Sequence, residues 1–327
     1  MKAILTNGYG GTDVLYLGEH PEPVPKENEV KVRIKATALN RADLLQRQGL
    51  YPPPPGATSI IGLEMAGVIE EVGSQVQNWK IGDRVFSLLP GGGYAEKVTV
   101  PADLLMPTPV ELSDVEGAAI AETYLTAYLN LVWIGGLTNE KTVLVHAGAS
   151  GVGTSAIQLI KQMGARSIVT VRSREKAEFC RSLGADVVLI GKEGFSEEIL
   201  NLTDNHGVDL ILDCVGASYW QDNLKSISMG GKLIVIGVMG GGNVENVPLM
   251  ELIKRRISIV GSSLRSQPEE EKINLSQEFA RTMLPHFKTG NLRTVVDRVF
   301  NWEDVQEAHT YMERNENIGK IILKVFS

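Results

Sequence analysis

Thr142-Val-Leu-Val-His-Ala-Gly148-Ala-Ser150-Gly151-Val-Gly153 is a β-branched run that enters a glycine turn and leaves it as a helical pattern. Glycines and a small serine let the backbone approach a pyrophosphate closely. A helix starting at Gly151 aims unpaired N–H groups and its positive dipole end at that anion. Ser150, Gly151, Val152 and Gly153 are therefore the candidate phosphate cradle. Small-residue turns also close ordinary βα units, so the surrounding rhythm decides. Apolar runs at 142–147, 167–172, 186–190, 209–215, 232–237 and 258–262 suit strands buried on both faces. Helical patterns at 151–163, 174–183, 196–202, 218–228 and 249–254 lie between them. This alternation predicts an α/β Rossmann domain, a doubly wound parallel sheet with its ligand at the carboxyl ends of the strands.

Upstream the pattern differs. Runs rich in Val and Ile at 1–6, 30–38, 66–72, 84–88 and 94–100, broken by Gly, Pro and Asp, predict an antiparallel, barrel-like domain. Tyr51-Pro-Pro-Pro-Pro-Gly56 reads as a rigid surface loop, since proline fixes φ and removes donors. Downstream, a long helix over 269–288 leads to 291–300 and a final strand over 318–326, which is expected to return to the first domain. The expected boundaries are 1–120, completed by 290–327, and 121–289.

Bulk properties narrow the classes. The 327 residues suit two domains, and 43% hydrophobic content describes an ordinary globular chain. A net charge of −7 without a dense Lys/Arg run argues against nucleic acid as a partner. No apolar run approaches the roughly 18 residues of a membrane span, and no signal-type segment opens the chain. Only Cys180 and Cys214 are present, which favours a reducing, cytoplasmic setting over a disulfide framework.

The second Rossmann strand runs into Arg172-Ser173-Arg174-Glu-Lys176. An NAD-preferring site places a carboxylate there to accept from the ribose 2′-OH. Arg172, Ser173 and Lys176 offer a guanidinium, a hydroxyl and an ammonium instead, which suit a 2′-phosphate. Basic residues at a helix start oppose the dipole unless an anion sits beside them. The expected cofactor is therefore NADPH.

Ala38-Leu-Asn40-Arg-Ala-Asp43, the proline loop, Gly62-Leu-Glu64-Met-Ala-Gly67, Leu89-Pro-Gly-Gly-Gly93 and the 146–154 turn together resemble the quinone oxidoreductase branch of the zinc-free medium-chain dehydrogenase/reductases. Leu212-Asp-Cys-Val-Gly216, Met239-Gly-Gly-Gly242, Leu264-Arg-Ser266 and Asn317-Ile-Gly-Lys320 extend the resemblance to the end of the chain. It implies a GroES-like β-barrel beside the Rossmann domain, NADPH in a cleft between them, and a homodimer joined at the Rossmann sheet edges. It also implies reduction of quinones, ortho-quinones in particular. Zinc-dependent cousins carry Cys at the position of Asn40 and His-Glu at Leu63-Glu64. The replacements remove two ligands, so the resemblance implies no catalytic zinc. Relatives carry a Tyr over the adenosine after the third strand. Here that region reads Val188-Leu-Ile190-Gly191-Lys192, with Lys192 as a substitute phosphate ligand.

A quinone is already electrophilic, so its reduction needs proximity and stacking more than a strong acid. Asn40 suits a hydrogen bond to the nicotinamide ribose or the substrate carbonyl, or else is a turn amide. Tyr51 offers a ring and a hydroxyl, or else packs on the prolines. Thr126, Gly237, Met239 and Gly240 are candidates for the nicotinamide end, Thr126 or else bonding a helix carbonyl, and Leu264 and Arg265 for the cofactor groove or dimer edge. Asn317 and Lys320 precede the last strand, where Lys320 either reaches the cofactor phosphates or is a solvated lysine. Glu64 has no second acid or base at helical spacing. His146 and Cys214 read as packing residues. Two other readings remain: an enone or 2-enoyl reductase with Tyr51 as proton donor, and an NADPH-linked structural or RNA-binding protein. Arg172→Asp should weaken NADPH binding far more than NADH binding in a titration, because only NADPH carries the 2′-phosphate. An equal loss for both would refute the assignment.

Overall fold

Val30, Val32, Ile34, Ala36 and Ala38 are fully buried while Lys31, Arg33 and Lys35 between them are not, the two-residue period of a strand with one face in a core. In the computed structural model, which describes residues 1–191 and 194–325, this strand lies at the centre of the first of two compact units. The first unit comprises Met1–Leu125 and Arg265–Ser327, the second Thr126–Leu264.

The first unit opens with a hairpin, β1 (Lys2–Thr6) and β2 (Leu15–Glu19), and continues through β3 (Glu29–Ala38), α1 (Arg41–Arg47), β4 (Glu64–Val72), β5 (Arg84–Leu88), β6 (Lys97–Pro101), β7 (Met106–Pro107), α2 (Asp114–Gly117) and α3 (Ala121–Tyr128). Along α3 the chain passes into the second unit. There β8 (Thr142–Val145), α4 (Gly151–Gln162), β9 (Arg166–Val171), α5 (Arg174–Leu183), β10 (Val187–Ile190), α6 (Ser196–Leu202), β11 (Val208–Asp213), α7 (Trp220–Ser226), β12 (Ile227–Val235), α8 (Leu249–Arg255) and β13 (Ser258–Gly261) alternate as expected. The chain then returns through α9 (Glu269–Thr282), α10 (Pro285–Lys288), β14 (Val296–Asn301), α11 (Val305–Glu313) and β15 (Lys320–Lys324).

In the second unit the sheet order is β10-β9-β8-β11-β12-β13 with every neighbour parallel. The chain winds outward from β8 in both directions, the Rossmann order, and so places the glycine turn after β8 at the point where that order reverses. In the first unit a sheet ordered β14-β15-β3-β4-β5-β7, with β6 also on β3, wraps a core that includes Val32, Ile34, Met65, Tyr94 and Trp302. β15 lies antiparallel to β3, with Ile322 opposite Ala38.

Three expectations change. The helix over 269–288 is two helices, because Pro285 has no N–H to continue the ladder. Both belong with the first unit, so the second boundary falls at 264 rather than 289. Aromatic packing explains the placement: the Tyr124 ring meets Phe279 and Phe287 at centroid distances of 6.0 and 5.0 Å, and its hydroxyl donates to the Arg293 carbonyl at 2.8 Å. The helix expected over 218–228 ends at Ser226, and Ile227 already starts β12 opposite Val208. Of the final run, β15 covers Lys320–Lys324, and Phe326 lies outside the described residues. No described helix is long and apolar enough to cross a membrane.

Phe279→Ala should lower unfolding stability by about 3–5 kcal/mol, the cost of emptying a fully buried aromatic site. Urea titration would measure it, and a loss below about 1 kcal/mol would show that α9 is not anchored there.

Candidate active site

In the second unit the glycine turn runs directly into α4. Ser150 caps α4, its Oγ accepting from the Gly153 N–H at 3.1 Å. Gly153 therefore gives its N–H to the cap, while the N–H groups of Gly151 and Val152 have no partner inside the helix. A Cβ on Gly153 would lie 2.4 Å from the Ala147 carbonyl oxygen and 2.7 Å from Gly148 Cα, so only glycine lets the helix start this close to the turn. At the end of β9, Arg172 is exposed, and Ser173 caps α5 by accepting from the Lys176 N–H at 3.2 Å. The hydroxyl oxygen of Ser173 is thus in use as a cap, and Ser173 and Lys176 are half-buried.

After β12 the backbone of Gly237, Met239 and Gly240 folds onto the end of β11. The Met239 N–H donates to the Cys214 carbonyl at 3.2 Å and the Gly240 N–H to Val215 at 2.6 Å. A Cβ on Gly240 would meet Ser218 Oγ at 2.3 Å. The side chain of Met239 remains exposed. Thr126 is half-buried, with its carbonyl taking the Asn130 side-chain amide at 2.7 Å, and Leu264 is buried. Lys192 lies outside the described residues. His146 makes its polar contacts to side chains: Nε2 to Asn223 Oδ1 at 2.7 Å and Nδ1 to Thr170 Oγ1 at 3.0 Å. Asn223 in turn donates Nδ2 to Asp213, which leaves its oxygen to accept from Nε2–H. Burial lowers the pKa of this histidine, so the ring is a neutral structural link.

In the first unit the structure corrects the reading of Lys320. Its side chain is only 4% exposed, and Nζ bonds Glu64 Oε1 at 2.9 Å, Asn40 Oδ1 at 2.6 Å and the Leu39 carbonyl at 2.8 Å. Three N–H donors meet three oxygens, so none remains for a cofactor phosphate. Sheet register brings these groups together. With Ile322 opposite Ala38, Lys320 falls opposite Asn40, while the β3–β4 pairing carries Glu64 alongside. Asn40 also donates Nδ2 to Glu64 Oε1 at 2.9 Å, and its backbone N–H donates to Asp43 Oδ2 at 2.7 Å. It caps α1, and its amide also donates to the local Ala38 carbonyl at 3.4 Å, a longer contact than the one to Glu64. The remaining Glu64 oxygen accepts from the Glu122 N–H at 2.8 Å.

Two carboxyl groups here are shifted upward. Asp43 is pushed up to about 7, first by burial and then by the charge of Glu64, although the Asn40 N–H and Lys320 pull it back. Glu122 is pushed up to about 8 by burial and by Glu64. Beyond Asp43, Tyr94 bonds His309 Nε2 at 3.1 Å, and Arg47 meets His309 Nδ1 at 3.3 Å and pairs with Glu313. Burial, then the Arg47 charge, lowers His309 to about 3, so this ring is neutral as well.

Arg265 is 7% exposed. Its Nη2 bonds the Pro90 carbonyl at 2.6 Å and Gln46 Oε1 at 2.8 Å, and its guanidinium carbon lies 5.2 Å from the centroid of the Tyr51 ring. Arg265 is thus a clamp on the proline loop, holding Tyr51 from one face. Its Nη1 is buried without a hydrogen-bond partner. Asn317 donates Nδ2 to the Gly319 carbonyl at 2.8 Å, a local bond. Among the described residues no group of three or more His, Cys, Asp or Glu side chains could hold a metal ion.

The structure therefore joins Asn40 with Lys320 and Tyr51 with Arg265, and it adds Glu64, Asp43 and Glu122, which the sequence reading did not select. Asp43 three residues after Asn40 is a capping pattern that could have been read. Glu122 is the one carboxylate in the otherwise uncharged run 118–134, a second available signal.

A family model described as zinc-binding dehydrogenase matches residues 151–281, and one described as alcohol dehydrogenase GroES-like domain matches residues 26–110. A quinone oxidoreductase of Pseudomonas aeruginosa is 32% identical over 98% of this chain and 99% of its own length. An acryloyl-coenzyme A reductase of Sulfurisphaera tokodaii is 31% identical over 99% of this chain and all of its own. The chain is also 30% identical to a phenolphthiocerol/phthiocerol polyketide synthase of Mycobacterium tuberculosis, of whose length it spans 14%. A mycobacterial protein solved in complex with NADPH superposes with a TM-score of 0.88, at 30% identity, over 99% of this chain and 100% of that one.

Lys320→Met should destabilise the protein by about 3–5 kcal/mol, because it leaves Glu64 as an uncompensated buried charge. Adding Glu64→Gln should recover part of that loss in the same urea titration. A single variant as stable as the parent would mean that the ion pair is not buried.

Proposed function

Because this chain belongs to the medium-chain dehydrogenase/reductase superfamily, whose oxidoreductases include quinone and enoyl reductases, we propose that it is an NADPH-dependent quinone oxidoreductase working without zinc. One observation carries this reading: the Lys320 ammonium sits on Asn40 and Glu64. A zinc ion would need those oxygens, and a fixed positive charge already holds them. The residues therefore do not fit a catalytic zinc, and no step is assigned to one. A chain without a Lewis acid at this position suits an acceptor that is already electrophilic.

The residues of the second unit fit the dinucleotide. The close approach enforced at Gly153 leaves room for a pyrophosphate over the N–H groups of Gly151 and Val152. Arg172, Ser173 and Lys176 would receive the 2′-phosphate, and Gly237, Met239 and Gly240, with Thr126, the nicotinamide end. Leu264 would contribute apolar lining. When bound, the cofactor supplies a hydride. Tyr51, clamped by Arg265, offers a ring for an aromatic acceptor to stack on, and the unpaired Nη1 of Arg265 offers a donor to its oxygen. Asn40 retains a second lone pair on Oδ1 for a donor on substrate or cofactor ribose, while its amide fixes Lys320. Asn317, bonded locally, is kept only as a contact through its carbonyl oxygen.

A second copy of the chain is the proposed structural partner. β13 is an edge strand with Ile259 exposed, and Leu249, Met250 and Ile253 on α8 are exposed beside it in sequence. Cys180 and Cys214 form no disulfide, which suits a cytoplasmic setting.

The acryloyl-coenzyme A reductase relative supports one alternative, hydride addition to an activated alkene with Tyr51 as proton donor. Turnover of a 1,2-quinone and of an α,β-unsaturated ketone should be compared at equal NADPH. Quinone turnover should dominate and survive Tyr51→Phe within about tenfold. Enone turnover that dominates and is lost in Tyr51→Phe would transfer the assignment to alkene reduction.

A further inference from the structure

Glu122 has a side chain for which the fold provides no partner. It is half-buried at the start of α3, and its backbone N–H is fixed on Glu64 Oε2 at 2.8 Å. Its carboxyl makes no side-chain hydrogen bond among the described residues, whereas Lys320, Glu64 and Asn40 beside it are bonded to one another. Facing it electrostatically are Glu64 from β4, Lys320 from β15, Asp43 from α1 and Arg265 from the segment before α9. Lys272 from α9 also acts on it. A second unpaired group stands in the same cluster. Arg265, more than nine-tenths buried, keeps its Nη1 without an acceptor. Arg265 and Glu122 each act on the charge of the other. The buried, unpaired Nη1 of Arg265 calls for an oxygen that the protein itself does not supply, and the half-buried Glu122 carboxyl stands in the same cluster.

We propose that Glu122 is the acid that protonates the reduced acceptor, at an oxygen held by the unpaired Nη1 of Arg265. The inference rests on the quinone reductase reading above. A quinone that has accepted a hydride with its electron pair is a hydroquinone monoanion. The O–H bond of the Glu122 carboxyl breaks, its proton passes to the anionic oxygen, and a neutral hydroquinone forms. The electron pair of the broken bond stays on Glu122 as carboxylate, which regains a proton from water. Electrostatics favour this direction. Burial and the neighbouring Glu64 charge raise Glu122 to about 8, against the pull of Lys320 and Arg265 and of the helix start on which it sits. The acid form is therefore present through neutral pH and is lost as the pH rises past that value. Arg265 next to the oxygen stabilises the anion until the proton arrives.

The test combines spectroscopy on the protein without cofactor with a rate profile. Infrared difference spectra of the protein should show a protonated carboxyl band that titrates near pH 8 and is missing in Glu122→Gln. With a 1,2-quinone, kcat of the parent should fall about tenfold per pH unit on the alkaline side. Glu122→Gln should lower kcat about a hundredfold and abolish that limb, while NADPH affinity by fluorescence stays within about twofold. Glu122→Asp should restore the limb at a reduced rate. A Glu122→Gln profile that keeps both limb and rate would overturn the role of Glu122 and leave the quinone reductase reading standing. Persistence in Glu122→Gln of the band that titrates near pH 8, as distinct from that of Asp43 near 7, would do the same. If the parent oxidises NADPH with no quinone, the functional reading fails and the acid role falls with it.

Discussion

An ammonium removed from water has to find an oxygen for each of its hydrogens, and the first unit is arranged around that requirement. Lys320 reaches its three oxygens only because β15 lies antiparallel to β3 in one register. A one-residue slip would turn the side chain to the other face and strand a charge, at a cost of several kcal/mol. The C-terminal strand is therefore tied to the N-terminal sheet by charge as well as by backbone ladders. Asn40 completes the arrangement by accepting from Lys320 and donating to Glu64, which fixes which way round its amide lies.

The two units handle polarity in opposite ways. The second unit ends its first strand with backbone donors at a helix start, where Ser150 takes one N–H and leaves others for an anion. The first unit closes many of its charges on one another, with Asp43 Oδ1 and Arg265 Nη1 among the buried atoms left without a partner. His146 and His309 are both neutral by burial. Each is bonded on both ring nitrogens, so they stiffen the units rather than exchange protons.

Much of the architecture can be read before folding. The β-branched runs and helices of the second unit follow from local chemistry, and they appear within a few residues of their expected places. β2 escaped notice because Tyr16 and Leu17 are exposed, so its residues do not alternate as a half-buried strand would. The helix over 269–288 looked continuous because its apolar spacing persists, although Pro285 interrupts it. Its membership of the first unit depends on Tyr124 meeting Phe279 and Phe287, a contact across more than a hundred residues that no local pattern encodes.

Sequence by itself determined the elements that depend on neighbours along the chain: the glycine turn, the basic strand end at Arg172, the rigid proline loop and the alternation of a doubly wound sheet. Those features arise from φ restrictions, helix ends and hydrophobic period, all of which act over a few residues. Tertiary structure alone decided that Lys320 is a buried partner of Asn40 and Glu64, that Arg265 clamps Tyr51, and that Glu122 faces both charges. Those outcomes belong to sheet register and to the cost of burying ions, which are set only when distant segments pair.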